Sequence, residues 1–291
     1  LSAALAELVL PDTAMHTAGL VVSSRRSLFM YGESGNGKTS IAVALHDAQP
    51  GEIWVPYAIE VDGQVIKVFD QHNHIPSASA AIDGQGTSGS SVGGGHDRRW
   101  IQVKRPLVVV GGEMTIQTMD LVYSNSVRYY EAPFQMKANG GTLVIDDFGR
   151  QRVTPLELLN RWIVPLEHEV DYLTLHTGKK IEVPFQSLLV FATNLDPKML
   201  VDEAFLRRMG YRLYIGPPSQ EQYASIFRRA VEADGLEYDP QLLEVLLARY
   251  EAEGRPLRCC EPRDLLRRLS DICRYSARPP ELTRELLELA W

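Results

Sequence analysis

Apolar positions along the chain fall into two regimes. Up to residue 216 they come as short continuous runs: Leu28-Phe-Met-Tyr31, Leu107-Val-Val-Val110, Leu143-Val-Ile145, Ser187-Leu-Leu-Val-Phe-Ala192 and Tyr211-Arg-Leu-Tyr-Ile215. Such runs, with little polar alternation, predict strands buried on both faces. Between them lie segments suited to helices, among them Ser40–Leu45 and Pro155–Trp162. Strands alternating with helices predict the α/β class, with a mainly parallel sheet flanked by helices. After Gly216-Pro217-Pro218 the character changes. Ser219-Gln-Glu-Gln222 fits a capping box, and helical periodicity then runs to the C-terminus. The expected division is an α/β core over residues 1–217 and a small all-α domain over 218–291.

Several local features refine this outline. Residues 1–9 read as a short amphipathic helix stopped by Pro11. Ile53–Val61 and Gln64–Phe69, joined at Asp62-Gly63, predict a hairpin, since Asp-Gly is a strong turn signal. A second hairpin is predicted from Tyr172–His176 and Ile181–Val183 across Thr177-Gly-Lys-Lys180, a lysine-bearing turn expected to be solvated. From residue 71 to about 99 the chain is rich in Gly, Ser and Ala and has almost nothing to bury, so a flexible surface loop is expected. His72, His74 and His96 lie in or beside it, and solvated histidines are expected in the absence of a Cys or carboxylate framework. Residues 111–138 read as a helical or mixed stretch.

Composition narrows the function classes. The chain has 291 residues, ample for a well-buried core, and a formal net charge of −7. That balance argues against broad capture of nucleic acid. No apolar run approaches the roughly 20 residues that span a bilayer, so no membrane insertion is expected. Cys259, Cys260 and Cys273 form no spaced disulfide framework and read as reduced thiols, which points to the cytoplasm. With Leu1 rather than Met at the start, the expectation is a trimmed chain or one segment of a longer protein.

The strongest chemical signal is Gly32-Glu33-Ser34-Gly35-Asn36-Gly37-Lys38-Thr39, followed by Ser40, a full G-x-x-x-x-G-K-[ST] match between a strand and a helix. The glycines let backbone N–H groups curl around phosphate oxygens at a helix N-terminus. Lys38 is placed for the β and γ phosphates and Thr39 for Mg²⁺. A magnesium nucleotide also calls for a carboxylate at the tip of a neighbouring buried strand, and "GTLVIDDFG" supplies Asp146. The alternative for an acid there, capping the next helix, suits Asp147 better. Asn194 ends the strand in "FATNLDP" and serves either the ligand crevice or, with Asp196, as a cap for the helix begun by Pro197. Arg207 and Arg208 close the helix "PKMLVDEAFLRRM", where dipole and solvent ordinarily account for arginines. Arg263, near a helix start, gains nothing from the dipole and more plausibly faces an anion.

This ordered set, with the "EPRDLL" segment in the helical part, resembles the AAA+ ATPases over nearly the whole chain. The hairpin before "LLVFATN" resembles the extra hairpin of the clade that includes MoxR-type ATPases, magnesium chelatase subunits and sigma-54 activators. The resemblance implies that Lys38 and Thr39 bind ATP and Mg²⁺, that Asp146 is the Walker B aspartate and that Asn194 is sensor 1. It implies further that Arg208 or Arg207 is a finger for a neighbouring subunit, that Arg263 is sensor 2, and that the helical part is a lid. A homo-oligomeric ring of about six subunits acting on a protein partner follows from the same resemblance.

Two features depart from the family pattern. The segment between the P-loop and Asp146 is long, and Asp147 stands where the family usually has Glu. A carboxylate one methylene shorter retreats by roughly 1.5 Å, enough to break the reach of a general base. Either the backbone compensates, a second water relays, or hydrolysis is slow. The competing readings are a nucleotide switch or scaffold with weak hydrolysis, a P-loop kinase, and a DNA motor. The helical domain with Arg263 disfavours the kinase, and the acidic balance disfavours the motor.

Overall fold

The computed structural model describes residues 2–5, 8–78, 97–200 and 203–291. At its centre is a five-stranded, wholly parallel sheet in the order Tyr211–Tyr214, Leu28–Tyr31, Leu188–Thr193, Thr142–Ile145, Leu107–Val110. Strand side chains alternate between faces, and the three central strands are covered on both, which is why their runs read as continuously apolar, whereas in the edge strands Val109, Arg212 and Tyr214 are exposed. Phe29, Leu143, Ile145 and Phe191 pack with Leu158 and Trp162 of helix Pro155–His168. Met30, Val144, Val190 and Ala192 pack on the other side with Ile41 and Leu45 of helix Lys38–Asp47.

A further helix, Asp12–Ser24, covers this second face and has no clear signature in the sequence. Its buried positions are Ala14, Ala18 and Val21, too small to make an apolar stripe stand out. The helix expected over residues 1–9 is seen at Ser2–Leu5, with Leu5 buried against the same face. Pro11 caps the start of the next helix.

The long segment before the Asp146 strand folds as additional β-structure. Glu52–Pro56 pairs antiparallel with Trp100–Lys104. A four-stranded sheet follows in the order Ala58–Val61, Gln64–Lys67, Tyr129–Glu131, Val122–Ser124. The Asp62-Gly63 hairpin is therefore present, with both turn residues left-handed, but it is shorter than expected. The chain leaves it at Tyr57, whose N–H donates to the Arg99 carbonyl while its own carbonyl accepts from Val68 and Phe69.

The expected surface loop also needs correction over residues 71–78. The Ser77 N–H donates to the Gln102 carbonyl (2.9 Å), and Pro76 bridges Val103. His74 is buried rather than solvated. Its Nδ1 accepts from the Asp70 N–H (2.9 Å), its Nε2 is hydrogen-bonded to the Lys137 carbonyl (2.9 Å), and its ring stacks on Phe69. Gln102 and Val103 lie about twenty-five residues from the partners they meet, so no local pattern announces them. Residues 79–96, including His96, lie outside the described residues.

The second hairpin pairs Val170–Thr174 with Lys180–Pro184 as expected. Leu173, Leu175, Ile181 and Val183 pack with Ile66 and Tyr130, seating the hairpin on the four-stranded sheet. At its tip the turn is exposed as expected, and Lys179 forms a solvent-exposed ion pair with Asp62. Four helices, Gln220–Ala233, Pro240–Ala252, Glu261–Tyr275 and Arg284–Ala290, complete the chain around Tyr223, Phe227, Leu246 and Leu269. The capping box at Ser219 and Gln222 is formed.

Candidate functional site

The segment Gly32–Thr39 turns from strand Leu28–Tyr31 into helix Lys38–Asp47. Gly32 must be glycine: its φ is 140°, and a Cβ would lie 2.0 Å from the Ile215 carbonyl oxygen. Gly35 and Gly37 are left-handed as well. Gly37 is the helix N-cap, and among the described residues no side chain caps that end. Its first N–H groups therefore remain available to an anion.

Lys38 Nζ donates to the carbonyls of Gly32 and Glu33, each at 2.8 Å. Burial lowers its pKa, and the nearby Asp146 and Asp147 carboxylates oppose that shift. Ser34 and Ser40 are exposed along the same segment. The Asn36 amide is buried with neither its oxygen nor its nitrogen partnered among the described residues.

Thr39 Oγ1 donates to Asp146 Oδ2 at 2.8 Å, joining the helix to the tip of the neighbouring strand. The other oxygen, Asp146 Oδ1, accepts from the Asp147 N–H at 2.9 Å. Asp147 itself is exposed and left-handed, with φ 47°. It caps no helix, since the next one is capped by Thr154 through a capping box with Glu157. Asn194 lies just past strand Leu188–Thr193, and its Oδ1 is buried with no partner among the described residues. The capping role left open in the sequence goes to Asp196, whose Oδ1 accepts from the Lys198 N–H at 3.0 Å.

Arg263 sits in the first turn of helix Glu261–Tyr275. That helix is brought to the P-loop by a direct bond from the Cys260 N–H to the Gly35 carbonyl (2.9 Å). Burial pushes the Cys259 thiol up to about 11 and raises that of Cys260, so both remain neutral at physiological pH.

A cleft of about 1140 Å³ unites these groups: Ser34 to Ser40 on one wall, with Asp146, Asp147, Asn194 and Arg263 facing them. Leu8, Val9, Leu10, Ile226 and Ala230 also line it. Those five carried no signal in the sequence, because only tertiary apposition puts them there. Arg207 and Arg208 do not line the cleft. They occupy the last turn of helix Glu203–Arg208, where Arg208 forms an ion pair with Glu167 and Arg207 is exposed.

The donor set fits a magnesium nucleotide. Open N–H groups, Lys38 and Arg263 suit an anion, and Asn194 lines the same space. A hydroxyl and a carboxylate oxygen at Thr39 and Asp146 suit a hard cation that takes its remaining ligands from phosphate and water.

The architecture has counterparts among solved structures. NtrX from Brucella abortus in complex with ATP matches 94% of this chain with a TM-score of 0.56 and 16% identity. Its complex with ADP gives 0.57 at the same identity. RuvB of Thermotoga maritima, a Holliday junction branch migration motor, matches 97% of the chain with a TM-score of 0.54 and 14% identity. The fold is AAA+-like. At these identities the likeness speaks to the fold alone. The chain spans about half the length of the NtrX chains, 54% and 52%, and 68% of the RuvB chain. Residues 219–291 match a family described as a domain of unknown function, DUF8689. No curated protein matches by sequence. Among the described residues, no helix is long and apolar enough to cross a membrane.

Proposed function

We propose that this chain is an ATP-binding and ATP-hydrolysing AAA+ protein, with a core over residues 1–217 and a helical lid over 218–291. The observation that carries the reading is the single cleft shared by Lys38, Thr39, Asp146, Asp147, Asn194 and Arg263 on an AAA+-like fold.

In this reading the P-loop N–H groups and Lys38 hold the β and γ phosphates. Thr39 and Asp146 hold Mg²⁺, which when bound neutralises charge on the phosphates. Asn194 orients a water, and Asp147 accepts its proton as the water oxygen bonds to the γ-phosphorus. The bond from that phosphorus to the β–γ bridging oxygen breaks, and its electron pair leaves on ADP. Arg263 meets the charge from the lid side.

Arg207 or Arg208 acts in trans on a neighbouring subunit, which makes the working form a homo-oligomer, a ring of about six, in the cytoplasm. Hydrolysis then drives remodelling of a protein partner. The placement of both arginines away from their own chain's cleft favours that assignment. A second reading, a nucleotide switch with slow hydrolysis, is favoured by the short side chain at Asp147.

Calorimetric titration with magnesium ATP tests the core claim. The wild-type chain should bind, and Lys38→Ala should abolish binding while leaving the fold intact by circular dichroism. Unchanged ATP affinity in Lys38→Ala would remove the P-loop assignment.

A further inference from the structure

The turn after the Asp146 strand has an uncommon backbone. A non-glycine residue with φ near +50° is disfavoured sterically and persists where its surroundings hold it. Asp147 is such a residue, and both of its flanks are anchored. The Asp146 N–H donates to the Val110 carbonyl at 2.8 Å. On the other side Phe148 is fully buried, donates its N–H to the Ala192 carbonyl (2.8 Å), and accepts the Thr193 hydroxyl at its own carbonyl (2.7 Å).

The inside of the turn is held by one side chain. Gln151 Nε2 donates to the carbonyls of Asp146 (2.9 Å) and Asp147 (3.2 Å). Its Oε1 accepts the Gly149 N–H at 2.8 Å. Both ends of the amide are therefore spent on the four-residue turn that carries the two acids. An amide is suited to this: two donors meet two carbonyls and one acceptor meets an N–H. Glutamate has the same length but would set a carboxylate against two carbonyl oxygens.

We infer that Gln151 is a positioning residue, which by clamping the carbonyls of Asp146 and Asp147 fixes the left-handed turn that aims the short Asp147 carboxylate into the cleft. The inference rests on the proposed role of Asp147 as base. It accounts for the missing methylene through the backbone: a left-handed residue swings its Cα–Cβ bond to a different direction, so reach is supplied by the main chain rather than by side-chain length. Gln151 touches no substrate and acts only through Asp147.

The test combines steady-state ATPase kinetics, ATP binding and melting temperature for wild type, Gln151→Ala, Gln151→Glu, Asp147→Asn and the double variant Asp147→Asn with Gln151→Ala. Gln151→Ala should lower kcat roughly 10- to 100-fold, with KM and ATP affinity within about two-fold of wild type. Gln151→Glu should be as slow, because it keeps the acceptor and loses the donors. In the Asp147→Asn background the added Gln151→Ala should cost nothing further, since the residue works through a carboxylate already removed.

An unchanged kcat in Gln151→Ala, a multiplicative loss in the double variant, or a fall in ATP affinity that parallels the fall in kcat would overturn the inference. If Gln151→Ala fails to fold, Gln151→Glu carries the comparison. A wild-type chain that binds ATP without turning it over overturns this inference and leaves the binding half of the proposed function standing. A chain that binds no ATP overturns that function and this inference with it.

Discussion

Gly32 shows how much one position can carry. It sits between the P-loop strand and the edge strand Tyr211–Tyr214, and there is no room for a Cβ against the Ile215 main chain. Gly32→Ala should destabilise the chain by about 2 kcal/mol or more, through both the clash and the unfavourable φ. A melting curve that does not move would show that the two strands separate easily there. Asn36 and Asn194 make the complementary point. Asn36 has two buried polar atoms and Asn194 one with no partner among the described residues, a costly arrangement beside the cleft. Asp147 differs from both: it is exposed and left-handed, and in the proposed function the consequence of that backbone is catalytic.

At the scale of elements, the segment around Asp70 ties the inserted β-structure to the approach of the Asp146 strand. Burial pushes the Asp70 carboxyl upward, but hydrogen bonds from Lys137, the His72 N–H and Asn73 outweigh this and hold it at about 2, below its ordinary 3.8. The folded state therefore binds fewer protons than the unfolded one between those values. The stabilisation is present above about pH 4 and is lost as pH falls toward 2. Asp70→Asn should be less stable than wild type at pH 7 by roughly 1 kcal/mol in chemical unfolding, and that gap should close as the pH is lowered through this window. A gap that stays constant with pH would assign the effect to something other than the carboxylate. The hairpin Val170–Pro184 is anchored in the same manner at its base, where buried Asp171 receives Arg161, Gln135 and the Tyr172 N–H. Asp171→Asn leaves Arg161 without its counter-charge and should cost about 3 kcal/mol in chemical unfolding.

For the whole molecule, the proposed trans arrangement predicts a dependence that a single chain cannot show. Specific ATPase activity should rise with protein concentration. Replacing both Arg207 and Arg208 by alanine should lower it by roughly a thousand-fold without loss of ATP binding. Activity independent of concentration, or unaffected in that variant, would remove the finger role. The Cys260 N–H on the Gly35 carbonyl gives helix Glu261–Tyr275 a direct hold on the P-loop. Arg263 is carried to the cleft by that contact.

Features written in neighbouring residues were legible from the sequence. The P-loop, the Asp146 strand, the capping box at Ser219 and the turn at Asp62-Gly63 depend on chain-local geometry, and their residue types announce it. The continuous apolar runs told of central strands covered on both faces for the same reason, since burial on two sides removes alternation, while the exposure of Val109 and Tyr214 in the edge strands depends on their place in the sheet. What tertiary structure alone decided are the choices among partners far apart in the chain. Glu52–Pro56 takes Trp100–Lys104 rather than its neighbour, His74 is buried against Lys137, and Lys179 pairs with Asp62. The acidic pair divides along the same line. Asp146 could be placed from its strand, whereas the left-handed turn at Asp147 depends on bonds to Val110, Ala192 and Gln151. A side chain's reach is set by the backbone beneath it, and that backbone was set by its distant neighbours.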